Sequence, residues 1–127
     1  MNILDIGVDI IEIYRIKKLL DKNKRFLEKV FTLSEIDYFK SKGFKAETIA
    51  GNFAAKEAIS KSIGTGIRKF NLKDIEILRD ELGKPIVKTY NNFNKICIDY
   101  NVSEIKVSIS HCKDYAVANA MAITKEG

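Results

Sequence analysis

The stretch from Ala46 to Gly66 constrains the rest of the chain more than any other. Ala46, Ala50, Ala54, Ala55 and Ala58 stand among straight-chain residues, a mixture that favours helix. Gly64 supplies the stop, because glycine takes the left-handed conformation at little cost. At about 100° per residue, Ala50, Phe53, Ala54, Glu57 and Lys61 fall on one arc. Ala55, Ile59 and Ile63 occupy much of the remaining circumference, and a helix apolar nearly all round is normally buried. A carboxylate and an amine therefore sit in a stripe of small residues, where an unpaired charge is costly. Two readings stand side by side. One is a local Glu57–Lys61 pair worth about 0.3 kcal/mol. The other makes Glu57 a metal ligand and Lys61 a phosphate contact, and it needs a second carboxylate.

Leu4 to Ile13 offers one. The segment is rich in β-branched residues and reads as a first strand, with Leu4, Ile6, Val8 and Ile10 on one face and Asp5, Gly7, Asp9 and Ile11 on the other. Asp9 shares its face with Gly7, where a missing side chain lets something approach the backbone. The plainer alternative is an edge carboxylate facing water.

Between Tyr14 and Val30 apolar residues recur at helical spacing, with a break expected near Asp21 to Lys24. Arg15, Lys17, Lys18, Lys22, Lys24, Arg25 and Lys29 crowd the rest against only Asp21 and Glu28. Such a run is either a solvated face or a docking face for an acidic partner helix, with Phe26 as an apolar anchor.

Thr32 followed by Glu35 is a capping box, which opens a short helix to about Ser41, ended by Gly43. Beyond the central helix, Asp74–Arg79 and Pro85–Tyr90 read as strands around a hairpin loop at Asp80–Pro85. Asn91 or Asn92 is positioned to cap a helix through Tyr100. Glu104–His111 and Tyr115–Ile123 read as final strands joined by a turn at Cys112–Asp114. Helices and antiparallel strands in mixed order predict an α+β fold, an antiparallel sheet packed with helices around one long central helix. Its 127 residues predict a single domain, 1–127.

Composition narrows the function classes. No run approaches the roughly 18 apolar residues of a membrane span and the start lacks a signal-peptide pattern, so a cytoplasmic protein with no membrane partner is expected. A net charge of +5 favours acidic partners, whether nucleic acid, an acidic protein or a phosphorylated small molecule. Cys97 and Cys112 form no Cys-x-x-Cys pair, which points to free buried thiols in a reducing compartment. Gly64-Thr65-Gly66 follows a helix instead of opening one, so it is not a phosphate loop of the P-loop or dinucleotide type. Ser110 and His111 are strand neighbours and point to opposite faces, which argues against a nucleophilic dyad. His111, the only histidine, is either a packed strand-end residue or a donor to a phosphate oxygen. Asp9 and Glu57, with no histidine or thiolate cluster beside them, suit Mg2+, which keeps waters and takes substrate phosphate oxygens as further ligands.

Five blocks in order resemble the short bacterial class of 4′-phosphopantetheinyl transferases, the holo-acyl-carrier-protein synthases. They are Gly7-Val8-Asp9-Ile10-Ile11-Glu12; Arg25-Phe26 through Phe31-Thr32 with Glu35; Phe53-Ala54-Ala55-Lys56-Glu57-Ala58 with Lys61 and Gly64-Thr65-Gly66; Gly83-Lys84-Pro85; and Ser108-Ile109-Ser110-His111. The resemblance implies the 4′-phosphopantetheinyl transferase fold and transfer of 4′-phosphopantetheine from coenzyme A to a serine of apo acyl carrier protein. Adenosine 3′,5′-bisphosphate would be released, in support of fatty acid biosynthesis. By similarity, Asp9 and Glu57 hold Mg2+ on the coenzyme A pyrophosphate and Lys61 neutralises charge developing there. Lys61, Gly64, Gly83, Lys84, Pro85, Ser110 and His111 match the coenzyme-binding motifs. Arg15, Lys22, Arg25, Phe26 and Lys29 match the face that docks the carrier protein. The family implies a homotrimer with active sites between subunits. The serine proton goes to a metal-bound water, Glu57 or a carrier-protein group. Where many members carry arginine before the Phe-Ala-Ala-Lys-Glu block, this chain has Asn52, so a cationic nucleotide contact is either missing or supplied by Lys45 or Arg68. A small basic nucleic-acid-binding module is the rival class. It leaves Glu57 in its apolar stripe without a purpose, and the sequence lacks RNP-type aromatic strands and zinc-finger spacing.

Overall fold

Helix stops and strand alternation divide the chain much as its sequence predicts. A computed structural model describes residues 2–64 and 69–125; Thr65, Gly66 and Arg68 lie outside the described residues. Strand β1 (Asn2–Glu12) leads into α1 (Ile13–Lys22) and α2 (Phe26–Val30), so the expected break falls between Lys22 and Phe26. Helix α3 (Leu33–Ser41) opens on the capping box: Glu35 N–H donates to Thr32 Oγ1 at 3.2 Å, and Thr32 N–H donates back to Glu35 Oε1 at 3.0 Å. Helix α4 (Ala46–Ser62) is the long central helix, and Gly64 beyond its end takes φ +80°. A 3₁₀ turn (Leu72–Asp74), β2 (Ile75–Arg79), β3 (Pro85–Thr89), α5 (Asn91–Asp99), β4 (Val102–His111) and β5 (Tyr115–Thr124) complete the order.

Two sheets result. One has the order β1-β5-β4 with antiparallel neighbours, and the other is the β2–β3 hairpin. The sheet packs on α4 through small residues: Ala116, Ala118, Ala120 and Ala122 of the middle strand are buried, as are Ala50, Ala54 and Ala58 of the helix. Alanine on both sides lets helix and sheet approach closely. The same core continues into Phe26, Phe31, Phe39 and Phe53, which tie α2 and α3 to the helix's first half through edge-on and tilted ring contacts. Ile13 N–H donates to Asp114 O at 2.9 Å, which pins the start of α1 to the β4–β5 turn.

Two local expectations need correction. Asn91 does not cap α5: Tyr90 is the cap residue, and Asn91 sits at φ 50° with its Nδ2 donating to Asp74 Oδ1 at 3.2 Å, which ties the helix start to the 3₁₀ turn. The face grouping of β1 also fails at one position: register shifts between Ile3 and Asp5, and Leu4 packs against the core instead of sharing the outer face of Ile6, Val8 and Ile10. Gly7 and Ile11 face the core, while Ile6, Val8 and Ile10 stand 61%, 57% and 63% exposed on the sheet's outer side.

Among the described residues, no helix is long and apolar enough to cross a membrane. Both cysteines are free, but the expectation that both are buried holds only for Cys97: Cys112 is exposed in the turn after β4. Burial pushes the Cys97 thiol up to about 11. At pH 8 only about one Cys97 in a thousand is thiolate, and the thiolate is the reactive form. Maleimide labelling of the native protein is expected to stop at one equivalent, on Cys112, with the second appearing only in denaturant. Peptide mapping that finds Cys97 labelled equally fast would contradict that packing.

Candidate active site

Gly7 brings the first strand against the central helix. A Cβ at Gly7 would stand 2.1 Å from Ala58 O, 2.8 Å from Ser62 N and 2.9 Å from Lys61 Cβ, distances that only a bare backbone tolerates. Two residues on, on the same face, Asp9 Oδ1 accepts a hydrogen bond from Lys61 Nζ at 3.2 Å, and the same ammonium donates to Val8 O at 3.0 Å. Glu57 lies one helical turn before Lys61 and is half-buried. The Asp9 carboxylate is thus not an edge group facing water; its side chain is 20% exposed and lies against α4. Lys61 keeps 53% of its side chain accessible, which leaves its charge available to a ligand at the strand–helix seam.

The donor chemistry fits magnesium as an open site. Among the described residues, no group of three or more His, Cys, Asp or Glu could hold a metal, so an all-protein cage of the calcium or zinc kind is out of reach. Two hard carboxylates are what Mg2+ takes when waters and phosphate oxygens fill its other positions. Asp9 Oδ1 and Val8 O already converge on a cationic point, the Lys61 ammonium, so this seam suits positive charge. Gly64 closes α4 beside β1, where a Cβ would meet Asp5 Oδ2 at 3.4 Å.

The residues matched to coenzyme binding fall into separate places within one chain. Gly83 sits at the β2–β3 hairpin tip, and Lys84 and Pro85 line a groove whose other wall is β4, including Lys106 and Val107. Ser110 pairs with Val117 and His111 with Ala116, so the two neighbours lie on opposite sheet faces, as the strand reading requires. His111 lines a second cavity with Lys42, Lys45, Cys112 and Lys113. Neither cavity is lined by Asp9, Glu57 or Lys61. Lys42 and Lys113 are additions that sequence reading missed. They lie far apart along the chain and carry no motif; only the fold brings them to His111, in a pocket whose charge suits an anion.

Arg15, Lys22, Arg25 and Lys29 are exposed along α1 and α2. Phe26 is different: it is 7% exposed, with ring centroids 6.1 Å from Phe31 and 6.0 Å from Phe53. Its apolar ring supports the basic surface from beneath, as the one buried residue of α2, with Leu27 and Val30 partly buried beside it. Asn52 is wholly buried and its amide is spent inside the fold, donating to Ile77 O at 3.1 Å and accepting from Arg79 Nη2 at 2.7 Å. Of the two cations expected to stand in for the missing arginine, Lys45 lines the His111 cavity and Arg68 is outside the described residues.

Comparison with known proteins converges on one family. The model of the 4′-phosphopantetheinyl transferase superfamily matches residues 5–120. A holo-[acyl-carrier-protein] synthase of Clostridium beijerinckii is 58% identical over 124 residues, covering 94% of this chain and 96% of the relative. The crystal structure of a holo-ACP-synthase from Plasmodium yoelii superposes with a TM-score of 0.88 at 36% identity, covering 98% of each chain. A holo-(acyl-carrier-protein) synthase from Bacillus anthracis in complex with CoA (3′,5′-ADP) superposes with a TM-score of 0.79 at 40% identity, covering 97% of this chain and 98% of that one. With its strand carboxylate, helix carboxylate and lysine held in the same fold over nearly the whole length, the chain belongs to the holo-[acyl-carrier-protein] synthase family of 4′-phosphopantetheinyl transferases.

Proposed function

We propose that the protein transfers 4′-phosphopantetheine from coenzyme A to a serine of apo acyl carrier protein, releasing adenosine 3′,5′-bisphosphate, in the cytoplasm and in support of fatty acid biosynthesis. The observation that carries this reading is the Gly7 contact, which sets Asp9 against Lys61 of the helix that also bears Glu57. In the reaction the serine oxygen forms a bond to the β-phosphorus, the bond from that phosphorus to the bridging oxygen breaks, and the serine proton leaves with a base. Asp9 and Glu57 are the residues that would hold Mg2+. When bound, the ion supplies charge neutralisation on the pyrophosphate oxygens. Lys61, freed from Asp9 by a turn about its side chain, reaches the same oxygens and stabilises the charge that develops on the departing 5′-phosphate of adenosine 3′,5′-bisphosphate. Lys42, Lys45, Lys113 and His111 supply an anion-binding pocket for the coenzyme's phosphorylated nucleotide. Gly64, Gly83, Lys84, Pro85 and Ser110 complete coenzyme recognition.

Those groups lie apart in a single chain, and the sheet's outer face carries exposed Ile6, Val8 and Ile10 beside half-buried Val117 and Met121 of β5. An apolar patch of this kind marks an interface. Both facts support a homotrimer with sites completed between subunits, and light scattering at three chain masses is the expected result.

Carrier protein docks on the basic face of α1 and α2. Arg25→Glu is expected to raise KM for apo carrier protein about tenfold while KM for coenzyme A changes less than about twofold, because an exposed charge acts on encounter with the acidic partner. An equal rise in both constants would remove the docking assignment. The function itself is tested by incubating the protein with Mg2+, coenzyme A and apo carrier protein and weighing the carrier. A gain of one phosphopantetheine group is expected, and an unchanged mass would overturn the reading.

A further inference from the structure

A polar cluster lies on the far side of α4 from the sheet, in the part of the molecule that should be driest. Lys56 is fully buried; its Nζ donates to Glu35 Oε1 at 2.7 Å, to Leu72 O at 3.1 Å and to Ile75 O, so all three of its donors are used. The Phe31 ring lies 5.1 Å from the ammonium. Glu35 is equally buried, and its carboxylate accepts from Thr32 N, Ile77 N and Asn52 Nδ2 as well as from Lys56. Burial dominates both groups, pushing the Glu35 carboxyl up and the Lys56 amine down, while their mutual attraction opposes it. Such a pair is not an economical route to stability, because desolvation can exceed the Coulombic gain.

Its geometry suggests another use. Asn52 and Lys56 are one turn apart on α4 and grip the two oxygens of one carboxylate, which is itself fixed by the capping box of α3 and by β2. On its opposite side α4 meets buried alanines of the sheet and the bare Gly7 backbone, which set how closely helix and strand approach, while the Glu35 carboxylate adds directional bonds on the other flank. We infer that Glu35 and Lys56 are positioning residues for transfer: their pair fixes the rotation and height of α4, and so where the next residue, Glu57, and Lys61 stand relative to Asp9. This rests on the transferase reading. A rotation of about 10° moves an atom about 6 Å from the helix axis by about 1 Å, and a misplacement of about 1 Å can cost about 100-fold in rate.

The test is the double variant Glu35→Gln/Lys56→Met, which removes both charges together and keeps a side-chain oxygen for the capping box. Asn52→Ser, which removes one of the two grips together with the Asn52 bonds to Ile77 O and Arg79 Nη2 and leaves the ion pair, is measured beside it. Folded fraction is measured by near-ultraviolet circular dichroism, and kcat is expressed per folded molecule. For the double variant, kcat is expected to fall about 100-fold with KM for coenzyme A and carrier protein within about threefold; for Asn52→Ser, the expected fall is about tenfold with the same split. A folded double variant with wild-type kcat overturns the inference. If the double variant does not fold, Asn52→Ser decides by the same criterion, and loss of fold in both variants overturns it as well, since the cluster would then be structural only. Failure of the wild-type protein to transfer in the same assay would instead remove the transferase reading, so the two failures are told apart.

Discussion

Glu57→Ala is expected to lower kcat about 10³-fold, equivalent to about 4 kcal/mol of transition-state stabilisation, while the melting temperature stays within about 3 °C of the parent. Two facts set these magnitudes. The side chain is only half-buried at the helix surface, so its removal opens no core cavity. Its proposed work is electrostatic, holding Mg2+ where charge accumulates on a diphosphate, and losing such a ligand forfeits stabilisation that water cannot replace. Asp9→Ala is expected to match it in activity. It also releases Lys61, whose ammonium now spans Asp9 Oδ1 and Val8 O, so some residual transfer by a freed lysine is consistent with the same chemistry. Steady-state kinetics with saturating coenzyme A and carrier protein measure both variants. Turnover within tenfold of the parent in Glu57→Ala would remove the carboxylate from the reacting site.

Gly7→Ala is expected to be the most damaging single methyl in the chain. The added carbon would meet Ala58 O at 2.1 Å and Ser62 N at 2.8 Å, and both are backbone atoms of a helix that cannot yield by changing a rotamer. Strand and helix would have to part by about 1 Å, at a cost of about 3 kcal/mol, or roughly 10 °C in melting temperature. Parting also draws Asp9 away from Lys61 and Glu57, so activity per folded molecule should fall about 100-fold in addition. Calorimetry and kinetics on the same preparation separate the two effects. Unchanged melting and unchanged turnover would mean that the strand does not lie where its contacts with α4 place it.

Much of this arrangement is legible in the amino-acid sequence. Gly7 and Asp9 share a strand face by simple alternation, and a glycine in a β-branched strand already signals a close approach. Its object proves to be α4. The central helix, its glycine stop, the Thr32–Glu35 capping box and the break between α1 and α2 follow from local chemistry, and local chemistry is what a sequence displays. What depends on pairing across the chain was not legible. Lys56 reads as one more basic residue on a helix, yet it is fully buried against Glu35, twenty-one residues away. Phe26 reads as an apolar anchor on a docking face because its neighbours are charged; in the fold it is the buried residue of α2. The outward apolar face of β1 inverts the usual rule because the helix side takes glycine and alanine for close packing, so the large residues Ile6, Val8 and Ile10 stand on the other side.

Strand carboxylate and helix carboxylate are proposed to act on one ion beside the coenzyme's diphosphate. The most direct measurement is anomalous diffraction from crystals grown with Mn2+ and coenzyme A. A single manganese peak is predicted within about 2.3 Å of oxygens from Asp9, Glu57 and the pyrophosphate, with Lys61 turned from Asp9 toward the phosphates. Bound coenzyme A with no metal between those two carboxylates, or with Asp9 and Glu57 directed to separate regions in every subunit, would contradict it.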